Sequence, residues 1–173
     1  MNDPRYPIGK FQLPGALTAT QRASAFARMA ALPNALYDAV HGLSPVQLDS
    51  PYREGGWTLR QVVHHLADSH ANAYIRHKLT ITELDPPIKA YDENAWAQLA
   101  DANGPIGVSL LLVQSIHDRW LHCLRTTPES AFARTCVHSE RGKMTLDDLV
   151  AMYAWHGDHH VAHITSLRRA MGW

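Results

Sequence analysis

The sequence predicts an all-α protein, a four-helix bundle. Three observations carry that expectation: four long segments repeat apolar residues in steps of three and four, their connections are mostly longer than a tight turn, and strand-like alternation is almost confined to Thr135–His138. At 173 residues the chain reads as a single domain, residues 1–173, long enough to bury a core.

Residues 1–17 hold Pro4, Pro7 and Pro14 with two glycines and read as an extended N-terminal arm, because proline cannot supply the amide donors of a continuous helix. Helical pattern begins after Thr18 or Thr20. Phe26, Met29, Ala30 and Leu32 set its stripe, Pro33 is expected to break or kink it, and Leu36, Tyr37 and Val40 carry it on to Gly42. Ser44–Gly56 is a connector with one turn after Ser44, where Ser-Pro-Val-Gln combines a capping box with proline at the first helical position. Thr58, with Gln61 three residues on, caps the next helix, and Trp57 can close a hydrophobic staple onto Val62. Its apolar side (Leu59, Val62, Val63, Leu66, Ala73, Tyr74) runs to about Leu79.

Asp85–Tyr91, with Pro86 and Pro87, reads as loop, and Glu93–Ala100 as a short amphipathic helix stopped at Asn103-Gly104-Pro105. Val108–Arg125 is the third long helix. Phe132–Met144 is irregular, with room for a small hairpin around a Ser139–Gly142 turn. Thr145 then caps the last helix, Asp147 and Asp148 favour its positive end, Arg168 and Arg169 its negative end, and Gly172 stops it.

Sixteen basic and sixteen acidic residues leave no net charge and no basic block to neutralise phosphates, so nucleic-acid binding is disfavoured. The opening MNDPRYPIGK has no apolar signal-like region, and the longest purely apolar run, Leu149–Trp155, is far below a membrane span. A soluble, cytoplasmic protein with no membrane partner is expected. Cys123 and Cys136 make no close-spaced pair and read as reduced packing thiols.

The densest chemistry lies in Trp155–Ile164, WHGDHHVAHI, with four histidines in eight residues. His156 and His160 are four apart, as are His159 and His163, a spacing that stacks side chains on one helix face. Leu146, Leu149, Tyr153, His156, His160, His163 or Ile164, and Leu167 form one stripe, so His156 and His160 fall on the buried side and His159 further round toward solvent. Two adjacent buried imidazoles need partners, since an unpaired polar group in an apolar interior costs on the order of 1–3 kcal/mol. A divalent metal satisfies both.

A third ligand has to come from another helix. The Thr58 helix carries His64, His65, His70 and His77, and periodicity alone favours His70, with His65 on the polar flank. Three histidines with an open position mark a catalytic rather than a structural site. The open position suits water activated for hydrolysis, or a thiol deprotonated for attack on an electrophile. His163, one turn beyond His160, is the candidate catalytic or supporting group, with a dimer-seam role as its alternative; His159 is a second acid/base candidate, and His117 reads chiefly as core.

GGWTLRQVVHHLADSH at 55–70, WHGDHHVAHITSLRRAMGW at 155–173 and YPIG at 6–9 resemble the YfiT group of the DinB-like superfamily of metal-dependent four-helix-bundle proteins, along nearly the whole chain. That resemblance implies a DinB-like bundle whose metal ligands are His65, His156 and His160, choosing His65 over His70. It implies one divalent metal ion per chain, zinc or nickel, and a homodimer. His163 stands where many DinB-like proteins have glutamine. Members of the YfiT group are named as presumed hydrolases, while relatives transfer low-molecular-weight thiols such as bacillithiol. The expectation is a thiol S-transferase acting on a small-molecule substrate, with His163 or Arg76 orienting it. Metal-dependent hydrolysis is the alternative, and a non-catalytic metal-binding module the further one.

Overall fold

A computed structural model describes residues 3–173; Met1 and Asn2 lie outside the described residues. The arm from residue 3 to 17 is extended with two turns, and then the helices follow: α1 Ala19–Val40, α2 Pro45–Leu48, α3 Leu59–Thr82, α4 Glu93–Trp96, α5 Ile106–Arg125 and α6 Leu146–Met171. Capping boxes open α1, α2, α3 and α6, pairing Thr18 with Gln21, Ser44 with Gln47, Thr58 with Gln61 and Thr145 with Asp148. Gly172, at φ 70°, supplies the left-handed residue that ends α6.

The four long helices form a square. α6 packs on α1 and α3, and α5 packs on the same two, so α1 faces α3 and α5 faces α6 across the diagonals. Sequential helices on a diagonal cannot be joined by a tight turn, which is why residues 41–58 and 126–145 are long connections. The second carries β2 Thr135–His138 and β3 Gly142–Thr145, the expected hairpin, while β1 Pro87–Ile88 adds a parallel edge within a segment that reads as plain loop. The Glu93 helix is only one turn long, and α3 runs to Thr82 rather than Leu79. No helix among the described residues is long and apolar enough to cross a membrane.

Pro33 neither breaks nor ends α1, which is continuous through it. A proline inside a helix removes one donor and leaves the carbonyl one turn earlier without its partner. Here that carbonyl, Met29 O, accepts instead from His117 Nδ1 of α5 at 2.8 Å. Gly157 lets α6 approach α1 closely, since a Cβ there would sit 2.7 Å from Leu32 Cδ2.

The apolar core is divided in two. One cluster gathers Met29, Trp120, Leu149 and Tyr153; the other Leu36, Val63, Leu66, Val113 and Ile164. Between them, the level of the bundle is occupied by His70 on α3, His117 on α5, and His156 and His160 on α6. At the far end, Arg22 and Asp147, both almost fully buried, pair at 2.7 Å while Asp147 also accepts from the Leu17 amide, fastening the arm to α6. Replacing Asp147 with alanine leaves Arg22 buried without its main anion and is expected to lower stability by about 3–5 kcal/mol, read as a fall in the urea midpoint.

Candidate metal centre

His65 of α3 meets His156 and His160 of α6, with one ring nitrogen from each lying within 4.8 Å of the others. His65 and His156 approach Nε2 to Nε2 at 3.3 Å. The ring centroids of His156 and His160 are 4.5 Å apart, as i,i+4 stacking dictates, and that of His65 is 4.8 Å from His160. His65 reaches them because α3 is covered on two sides: the centre of its stripe points into the bundle, whereas its flank faces α6.

Burial disfavours the imidazolium form at all three positions. The His65 pKa is pushed down to about 4, by desolvation first and by proximity to His163 second. His156 and His160 are held well below the ordinary histidine range by desolvation and by their histidine neighbours. Neutral imidazole is the metal-ligating form, so three convergent neutral nitrogens and no cysteine fit a divalent metal ion at a site with an open side.

The open side is a cavity of about 430 Å³. Trp57 forms one wall with its ring 4.6 Å from that of His65, and Tyr52 stacks on His163 at 4.1 Å. The arm closes another side through Arg5 and Tyr6, and the rim carries Arg53, Arg141, Glu93 and Glu140. Arg76 is buried in the wall, donating to Tyr153 Oη at 3.0 Å and to the Lys89 carbonyl at 2.9 Å. It has no carboxylate partner among the described residues.

The remaining histidines separate by place. His70, favoured by periodicity as a ligand, lies behind His156, its Nε2 3.1 Å from His156 Nδ1 and its Nδ1 2.8 Å from His117 Nε2. His163 has both nitrogens engaged, Nδ1 with His160 Nδ1 at 3.4 Å and Nε2 with the Arg5 carbonyl at 3.3 Å. His159 is not on the solvent side as the helical wheel suggests. It is buried against the cavity under Trp155, whose ring stacks on it at 4.3 Å, and near Tyr6 of the arm, because the arm covers a flank of α6 that a wheel leaves open. Its buried Nδ1 has no hydrogen-bond partner among the described residues. His64 bonds Ser109 and Gly104, and His77 bonds the Ala73 carbonyl, both away from the cavity. Tyr52, Trp155 and Arg141 carry no local signal that marks them as cavity residues; only the fold assembles them.

Comparison with known proteins bears on the fold and the family. The model of the DinB superfamily matches residues 28–164. A protein of Bacillus cereus (strain 03BB102) and one of Bacillus thuringiensis subsp. konkukian (strain 97-27), both named as presumed metal-dependent hydrolases, are each 47% identical over 173 residues, covering both chains completely. The structure of YfiT from Bacillus subtilis, described as a presumed metal-dependent hydrolase with an unusual four-helix bundle topology, is 44% identical, covers 98% of both chains and superposes with a TM-score of 0.95.

Proposed function

The chain belongs to the DinB superfamily, and on that premise we propose that it is a metal-dependent hydrolase whose ion is held by His65, His156 and His160. The observation that carries the reading is the convergence of three neutral imidazoles on the wall of a cavity large enough for a small molecule. When bound, a divalent ion lowers the pKa of the nucleophile it holds, water or thiol alike.

The protein's own groups do the rest. His159, neutral at pH 7 because burial and then the nearby His163 push its pKa down to about 4, faces the cavity as a proton acceptor. His163 supports His160 rather than reaching substrate, since both of its nitrogens are already engaged. Arg76, buried with only neutral acceptors, suits an anionic group on the substrate, and Arg141 adds to that field. Trp57, Tyr52 and the arm narrow the access of water.

Transfer of a low-molecular-weight thiol is the second reading, with Arg76 suited to a carboxylate on the thiol as it is to one on a hydrolysed substrate. The same ligand set supports both reactions.

Zinc titration is expected to give one ion per chain. Alanine at His65, His156 or His160 should each weaken binding by more than the roughly 10–100-fold that an outer partner is worth, with the helical circular dichroism retained. Zinc-loaded protein offered small esters and amides, and in parallel several thiols with a fluorogenic electrophile, separates hydrolysis from transfer; turnover in neither arm by a one-zinc protein would overturn the enzymatic reading. Substituting Arg76 with methionine should raise KM for carboxylate-bearing substrates by about 10–100-fold, the value of a charge-assisted hydrogen bond, while neutral analogues keep theirs. Equal losses for both would assign Arg76 to structure alone.

A further inference from the structure

Two backbone carbonyls lie at the outer ends of histidine chains that lead to the metal centre. The first is Met29 O, left without a helical donor by Pro33 and bonded at 2.8 Å by His117 Nδ1. A carbonyl only accepts, so His117 Nδ1 holds the proton. Desolvation pushes the His117 pKa down to about 4, so its Nε2 is bare at pH 7. His70 Nδ1, 2.8 Å away, must then donate to it, which leaves His70 Nε2 bare. His156 Nδ1, at 3.1 Å, must in turn donate to His70. The proton of His156 is thus fixed on Nδ1, and its bare Nε2 faces His65.

The second chain is shorter. The Arg5 carbonyl, 3.3 Å from His163 Nε2, can only accept, so the single proton of the neutral His163 ring sits on Nε2 and its Nδ1, 3.4 Å from His160 Nδ1, is left to accept from it. His160 Nε2 is left bare by the same reasoning.

We infer that His117, His70 and His163 are positioning residues that lock His156 and His160 into the Nδ1–H tautomer, so that Nε2 of each is presented to the ion before it arrives. This rests on the metal centre proposed above, but the tautomers belong to the metal-free protein and can be read without any ion. A ligand histidine that carried its proton on Nε2 would have to lose or move it on binding, and outer partners that prevent this are worth about 10–100-fold in metal affinity. Bonds of this kind also serve simply to satisfy buried polar groups. The two roles differ in what they demand at position 117, where direction of donation matters only to the first.

The test begins with long-range 1H–15N spectra of the imidazoles in metal-free, full-length protein at neutral pH, where protonated and bare ring nitrogens are resolved. The expected result is Nδ1–H for His117, His70, His156 and His160, and Nε2–H for His163; a predominant Nε2–H form of His156 would overturn the inference. Zinc affinity by chelator competition is then compared for wild type, His117→Phe and His117→Gln. Phenylalanine keeps a ring but removes both hydrogen bonds, and is expected to lower affinity by about 10–100-fold with a mixed His156 tautomer. Glutamine donates to Met29 O through its amide and accepts from His70 through its oxygen, and should restore both the single tautomer and an affinity within about threefold of wild type. If folded His117→Phe binds zinc as wild type does, or if glutamine and phenylalanine lose affinity equally, the positioning role is wrong. Failure of wild type to bind zinc while the tautomers are as stated would instead overturn the metal centre and leave the locked histidines standing.

Discussion

Placing imidazoles in a bundle interior imposes a condition that apolar packing does not: each ring has a donor and an acceptor, and either one left unpaired there is costly. In this protein the condition is met largely by other imidazoles. His70 joins His117 to His156, and His163 joins Arg5 to His160, so a band of histidine crosses the bundle between two separate apolar clusters. The band is two chains, each anchored at its outer end on a backbone carbonyl, Met29 O for one and Arg5 O for the other. Changing one member alters the partners of the next, which makes the centre and the fold a single problem in polar satisfaction.

The helices supply this band by different means. α6 contributes two rings from one face through i,i+4 spacing. α3 contributes one ring from the centre of its stripe and another from its flank, because it is covered by both α5 and α6. α1 contributes no imidazole. Its part is a carbonyl left open by Pro33, so a residue that reads as a defect in the helix supplies an acceptor at the level where the neighbouring helix carries His117. Gly157 adds to this by letting α1 and α6 close on each other beside His156.

Much of this was legible in the sequence. The long helices, the arm, the hairpin and the caps at Ser44, Thr58 and Thr145 follow from local chemistry, and the spacing of His156 and His160 predicted their shared face. Three features were not legible, each for a physical reason. A helical wheel assumes one buried side, so it preferred His70 to His65 and sent His159 to solvent, when packing on two sides and a covering arm decide both positions. A rule about proline counts lost donors within a helix and cannot see that a histidine on another helix, 84 residues later, takes up the freed carbonyl. The short β1 strand depends on a partner, β2, far along the chain, and two residues carry no periodicity to announce it.

The arm enters the histidine band through main chain, not side chain, since it is the carbonyl of Arg5 that faces His163. Any amino acid has that group. Substitution at position 5 can therefore change the rim of the cavity while leaving the contact intact, whereas a change in the path or length of residues 3–17 can remove it. Drift in identity and fixity in backbone course should coexist at the same place, so a comparison of related sequences column by column would pass over a position that the geometry of the centre holds firmly.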